Sequence, residues 1–353
     1  MPATLPVVRV LATAALNLAL TGAYFASGKL GLALAFVHPS ASPVWPPTGL
    51  ALAALLVFGP RAWPGIFLGA YLVNATTHGS VATSLAIAFG NTLEGALGAF
   101  LTREFAGGRA AFDHPQSVFR FTLLAGLAAT TLSATIGVTS LSVAEFAGWR
   151  DYTSIWLTWW LGDAGGALVV TPFLVLWSQR PRARWGRRAA LEMAALLVAL
   201  FAAGQLVFGG WLPVGATNYP LSFLPSPILV WAAFRFGPRE TATVIVLLSA
   251  MAVSGTLQGF GPFVWTTPNE SLLLLQAFMG VNAVVALAFA GLVANLRVLR
   301  GLLSICAYCK RIRNETGRWE TLETYIERRS EAEFTHGLCP ECGDKQLRAL
   351  AQN

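Results

Sequence analysis

Ten apolar segments follow one another along the first 300 residues, at about 8–34, 44–60, 62–76, 80–102, 117–141, 153–178, 189–209, 221–236, 239–257 and 270–297. A hydrocarbon core of about 30 Å takes roughly 20 helical residues. Backbone groups placed in lipid must find their hydrogen bonds within the segment itself. Both constraints lead to an all-α, polytopic transmembrane helical bundle. The second, third and eighth segments are short and fit either full spans or half-helices of a re-entrant hairpin, so eight to ten spans are expected. The first segment also has a signal-peptide look, an apolar run from Val10 to Phe25 followed by Ala26, Ser27 and Gly28. It is read as an uncleaved span.

Charge is scarce and unevenly placed. Only 12% of the chain is Asp, Glu, Lys or Arg, against roughly a quarter in an ordinary soluble domain. Residues 301–353 hold eight basic and eight acidic residues, which leaves 16 and nine of the totals of 24 and 17 to the apolar body. The net charge of +7 therefore belongs to the body and marks orientation; no nucleic-acid partner is expected. Lys and Arg in short loops stay cytoplasmic. The loop with Arg180, Arg182, Arg184, Arg187 and Arg188, taken as inside, also places Arg9, Arg61, Arg103, Arg109, Arg239, Arg297 and Arg300 inside. The opposite loops, His38–Pro43, Thr76–Ser80, Gly209–Pro220 and Gln258–Asn269, contain no Lys or Arg, and only Arg150, next to Glu145 and Asp151, lies on the outer side. Both termini of a multi-pass inner (plasma) membrane protein are thus expected in the cytoplasm.

Two domains follow: a transmembrane part at 8–297 and a charge-dense module at 301–350. The module reads Cys306-Ala-Tyr-Cys309 and, further on, His336-Gly-Leu-Cys339-Pro-Glu-Cys342-Gly343. Two C-x-x-C pairs are the usual way to wrap four thiolates around a tetrahedral Zn²⁺. We expect a zinc-ribbon-like module with a structural Zn²⁺ on Cys306, Cys309, Cys339 and Cys342, and His336 as a substitute ligand or a donor to one. Gly343 is expected at a tight turn with positive φ, and Thr321–Glu333 as a short helix. A module this small has little core, so metal would supply much of its folding energy.

Ionisable residues inside spans are costly and mark functional sites. Glu94 and Asp163 are the two that stand out. Asn91 shares a helix face with Glu94 at i, i+3; Trp160 stands at i, i+3 and Trp159 at i, i+4 from Asp163. A carboxyl beside indoles suits a cationic or polyhydroxy ligand, while the glycine-rich flanks suit tight helix packing equally well. Trp45, in Val44-Trp45-Pro46-Pro47-Thr48-Gly49, opens the second segment, as an interfacial anchor or as part of the same site. Trp63-Pro64-Gly65 is similar and is given no chemistry. No Walker A loop, H-E-x-x-H or G-x-S-x-G sequence occurs, and no histidine falls inside a span, so the chain is read as a non-enzyme.

These stretches carry a resemblance. Val44-Trp45-Pro46-Pro47-Thr48-Gly49, Gly59-Pro60-Arg61-Ala62-Trp63-Pro64-Gly65, Gly90-Asn91-Thr92-Leu93-Glu94, Trp159-Trp160-Leu161-Gly162-Asp163 and Trp231-Ala232-Ala233-Phe234-Arg235-Phe236-Gly237 occur in the order typical of the first class of bacterial membrane-associated sensor domains, the MASE type. The tail resembles the cysteine-rich end of some bacterial sensor kinases. The resemblance implies a sensory input module for signal transduction, normally fused to a kinase or cyclase, with an undefined small-molecule or lipid ligand. The 53 residues after the last span are too few for such an output domain, so relay through a cytoplasmic signalling partner is expected, across the joint at 295–301. Trp45, Asn91, Glu94, Trp159, Trp160 and Asp163 are the expected sensing residues. A transporter of a small solute is the alternative function.

Overall fold

The structure is a computed structural model that describes residues 4–33, 44–77, 79–179, 186–210, 221–300, 304–314, 317–329, 332–335 and 337–350. His38, Arg180, Arg182, Arg184, Gly301 and His336, all used above, lie outside the described residues. The chain divides into two compact units, Met1–Ala294 and Asn295–Asn353.

Every apolar segment is helical: α1 Thr4–Leu32, α2 Pro46–Phe58, α3 Trp63–Ala75, α4 Val81–Phe105, α5 Pro115–Phe121, α6 Thr130–Val143, α7 Tyr152–Ser178, α8 Arg187–Phe208, α9 Ser226–Arg235, α10 Pro238–Leu257 and α11 Pro268–Arg300. Residues 122–128 join α5 to α6 as a π-helical stretch. Among the described residues, seven helices are long and apolar enough to cross a membrane, with α5 and α6 counted as one. The 13 residues of α2 and the 13 of α3 reach only about 20 Å each at 1.5 Å per residue. The three segments read as short are thus short helices. Prolines in the first turn open α2, α3, α5, α9 and α10, where the missing N–H has no intrahelical partner to lose. At the start of α4, Ser80 and Thr83 form a reciprocal capping box.

Backbone-to-backbone packing locks α2 onto α7. A Cβ added to Gly49 would lie 2.3 Å from the Gly166 carbonyl oxygen, and one added to Gly166 would lie 2.0 Å from that of Trp45. The Trp45 N–H donates to the Gly162 carbonyl at 3.0 Å, and Thr171 Oγ1 donates to Gly49 O at 3.3 Å. With no hydrophobic drive between helices in lipid, close approach through small residues supplies the attraction. The far end of α2 is held by two of the arginines used to assign orientation: Arg103 donates to Leu55 O, and Arg109 to Leu56 O and Val57 O. Lys29 does the same for α3, donating to Val73 O and Thr76 O. Cations at C-terminal carbonyls satisfy both the orphan acceptors and the helix dipole.

In the second unit, β1 (Ile312–Arg313) and β2 (Trp319–Glu320) form an antiparallel hairpin in which Ile312 faces Glu320. Ile312 is fully buried, and Ile305 bridges to it. The expected helix at Thr321–Glu333 is shorter, α12 Leu322–Glu327, capped by Thr321. Arg328 and Arg329 lie beyond its end and reach back to Glu320 at 3.5 and 3.6 Å. A further helix, α13 Pro340–Leu350, begins between the two cysteines of the second pair, with Cys342 inside it and Cys339 just before it. Gly343 lies inside α13 without positive φ, which corrects the turn expected there: the helix starts at Pro340, so Cys342 and Gly343 already sit in its first turn.

Candidate functional site

A sealed polar cluster occupies the middle of the bundle. Glu94 is the fourteenth of the 25 residues of α4, about 20 Å along the axis from Val81. Asp163 holds the corresponding place in α7. Glu94 is 1% exposed, Asp163 0% and Asn91 4%. Five elements contribute. From α1, the Tyr24 hydroxyl accepts from Asn91 Nδ2 at 3.0 Å. From α6, Ser133 Oγ donates to Asn91 Oδ1 at 2.6 Å and itself accepts from Trp159 Nε1, on α7, at 3.1 Å. From the first turn of α2, Thr48 Oγ1 donates to Asp163 Oδ1 at 3.0 Å. The two carboxyl groups act on each other electrostatically, and both lie beside Thr48 and Ser133.

The cluster is left incomplete in a specific way. Both Glu94 oxygens, Asp163 Oδ2 and the Trp45 indole N–H are buried with no hydrogen-bond partner among the described residues. Leaving a buried polar group unpaired carries a penalty of about 1–3 kcal/mol, more for a charged one. Several together on one site mark a place built for something besides packing.

The structure brings together Trp45, Asn91, Glu94, Trp159 and Asp163. It does not bring in Trp160, which donates to Leu127 O at 2.9 Å and stacks on Trp156 with ring centroids 5.5 Å apart. Its i, i+3 spacing from Asp163 turns it to the flank of α7 that meets the π-helical stretch. Trp45 is 8% exposed, whereas Trp63 is 52% exposed. The anchor reading of Trp45 is therefore replaced by burial in the cluster. Tyr24, Thr48 and Ser133 are members that sequence reasoning missed. Thr48 carried a faint signal, standing three residues after Trp45 in the Trp-Pro-Pro segment.

The tail cysteines form two similar half-sites. The Cys309 N–H points at Cys306 Sγ at 3.4 Å, and the chain turns at Lys310, with φ 58°. The Cys306 thiol is held below its ordinary pKa by the N–H of Cys309 and then that of Tyr308. Cys339 is lowered in the same way, chiefly by the N–H of Cys342 at the start of α13. Thiolate character of this kind favours a soft metal ion. Among the described residues, however, no group of three or more candidate ligands is gathered. His336 lies outside the described residues. Each pair fits half of a zinc site.

A family model, MASE1, matches residues 16–297 of the chain. No curated protein and no solved structure matches it.

Proposed function

The chain belongs to the MASE1 family of membrane-associated sensor domains, and from that membership we propose that it is a bacterial inner-membrane sensor whose input is the buried Glu94–Asp163 cluster. Its output is the cysteine-rich module, which relays the signal to a cytoplasmic partner rather than through chemistry of its own. The observation that supports this most is the set of unpaired carboxyl oxygens at the point where α1, α2, α4, α6 and α7 meet. An event there bears on five helices at once. A ligand shifts such a bundle only through different affinity for two arrangements, and a buried group whose charge is unsatisfied supplies that difference. The arginine-bearing loops are placed on the cytoplasmic side, as is the tail. Cys306, Cys309, Cys339 and Cys342 hold a structural Zn²⁺, which supplies folding energy and no reaction.

The test needs no knowledge of the stimulus. Glu94→Gln with Asp163→Asn fixes both groups as neutral and must bias the two arrangements. In the reconstituted full chain, the alkylation rate of the tail thiols is expected to differ several-fold between this double variant and the parent chain. Equal rates, with the helical circular dichroism intact, would sink the sensor reading. A transporter would also place carboxyls at the midplane. It is distinguished by solute flux into proteoliposomes that Asp163→Asn abolishes while tail reactivity stays unchanged.

A further inference from the structure

We propose that the Glu94–Asp163 pair is a proton-binding site: the two carboxyls hold one exchangeable proton between them. This rests on the sensor reading and names its ligand. Two carboxylates buried side by side need a positive charge to offset them. Among the described residues none is supplied. The charge acting on Glu94 is that of Asp163; Tyr24 of α1 is the one other titratable group that interacts with the pair among the described residues. Thr48 and Trp45 at the head of α2, Asn91 of α4, Ser133 of α6 and Trp159 of α7 are neutral. Among the described residues, no charged side chain of α3, α10 or α11 acts on either carboxyl.

The surroundings select among possible occupants. A metal cation takes lone pairs only, about six to eight of them for the common hard ions. Here the indole N–H groups of Trp45 and Trp159 and the Asn91 amide N–H offer no lone pair, and the Tyr24 and Ser133 oxygens already accept from Asn91 and Trp159. The Trp45 N–H, which lies beside the Tyr24 hydroxyl, would repel a cation. An organic ligand needs volume, yet both carboxyls are 1% exposed or less, and the backbones of α2 and α7 beside them are in contact. A proton needs neither lone pairs beyond the two carboxyls nor space. It bonds to one oxygen and is donated in a hydrogen bond to the other group, and on release it passes to water and leaves both groups anionic. Their mutual repulsion in the buried core then drives α4 and α7 apart, the two-state element a sensor requires.

Infrared difference spectroscopy of the full chain in liposomes, taken from mildly acid to alkaline pH, tests this. The C=O band of a protonated, buried carboxyl is expected at neutral pH, shifted in heavy water and lost at alkaline pH. Glu94→Gln and Asp163→Asn should each remove it completely, and Glu240→Gln should leave it. Thr48→Val retains both acids and should shift its frequency, which covers the case in which a carboxyl variant fails to fold. The proposal is overturned by a parent chain with no such band, by a band that survives either carboxyl replacement, or by one indifferent to Thr48→Val. A missing band alongside altered tail reactivity in the double variant would discard the proton and keep the sensor; a titrating band with unaltered tail reactivity would do the reverse.

Discussion

Replacing Gly166 by alanine is expected to destabilise the bundle by at least about 3 kcal/mol, the upper end of ordinary overpacking, and replacing it by leucine to prevent folding. The added Cβ would meet the Trp45 carbonyl oxygen at 2.0 Å and its carbon at 2.8 Å. These are backbone atoms, so no rotamer change relieves the clash. Trp45 is also tied to α7 through its N–H on Gly162 O, and moving it would carry the head of α2, and with it Thr48, away from Asp163. Helix propensity alone would make the same change favourable by about 1 kcal/mol. Gly165→Ala is the control: its Cβ would find only Met279 Cε, at 3.7 Å, an ordinary contact. Thermal unfolding in detergent, followed by circular dichroism, should therefore show a large fall for Gly166→Ala and little or none for Gly165→Ala. Equal midpoints would contradict the close packing of α2 on α7.

The other large effect is expected in the tail. Its core is slight, with Ile312 the only fully buried side chain described in the second unit and a hairpin of two-residue strands. Structural zinc contributes apparent binding energies of about 10–16 kcal/mol in small peptides, far more than such a core can. Metal analysis of the purified chain should return about one zinc. A strong chelator should then expose the tail to proteolysis at its arginines while the helical signal of the bundle stays constant. Cys309→Ser should reproduce the effect without chelator. Absence of zinc together with four freely reactive thiols in the native chain would remove the metal from the account.

The parts of this molecule visible in sequence are those where one residue type has no alternative. Apolar stretches of span length must be helices in lipid, and all of them are. Glu94 and Asp163 were conspicuous because a carboxyl inside a span needs a reason to be there. Tyr24, Thr48 and Ser133 gave no such signal: neutral hydroxyls are common in membrane helices, where most bond back to their own helix, as Thr102 and Thr130 do. Only the convergence of α1, α2 and α6 on α4 makes these three part of a site. Trp159 and Trp160 show the limit of spacing arguments. Both are compatible with a shared face with Asp163, and the neighbour each meets, Ser133 for one and Leu127 O for the other, decides which belongs. Trp45 shows the same limit from the other side, since an indole beside two prolines reads as an anchor until Gly28 and Gly31 of α1 are found against its ring. In the tail, the cysteine spacing is legible, but α13 was not anticipated because the turn assigned to Gly343 took its place.

The account turns on whether the buried carboxyls govern the tail. Hydrogen–deuterium exchange on the reconstituted full chain, parent against Glu94→Gln with Asp163→Asn, measures this most directly. We expect altered exchange both in α4 and α7 and in the amides around Cys306–Lys310 and the Ile312–Glu320 hairpin. Changes confined to the helices, with the tail amides exchanging as in the parent, would show that the cluster is structural and is not the input of a sensor.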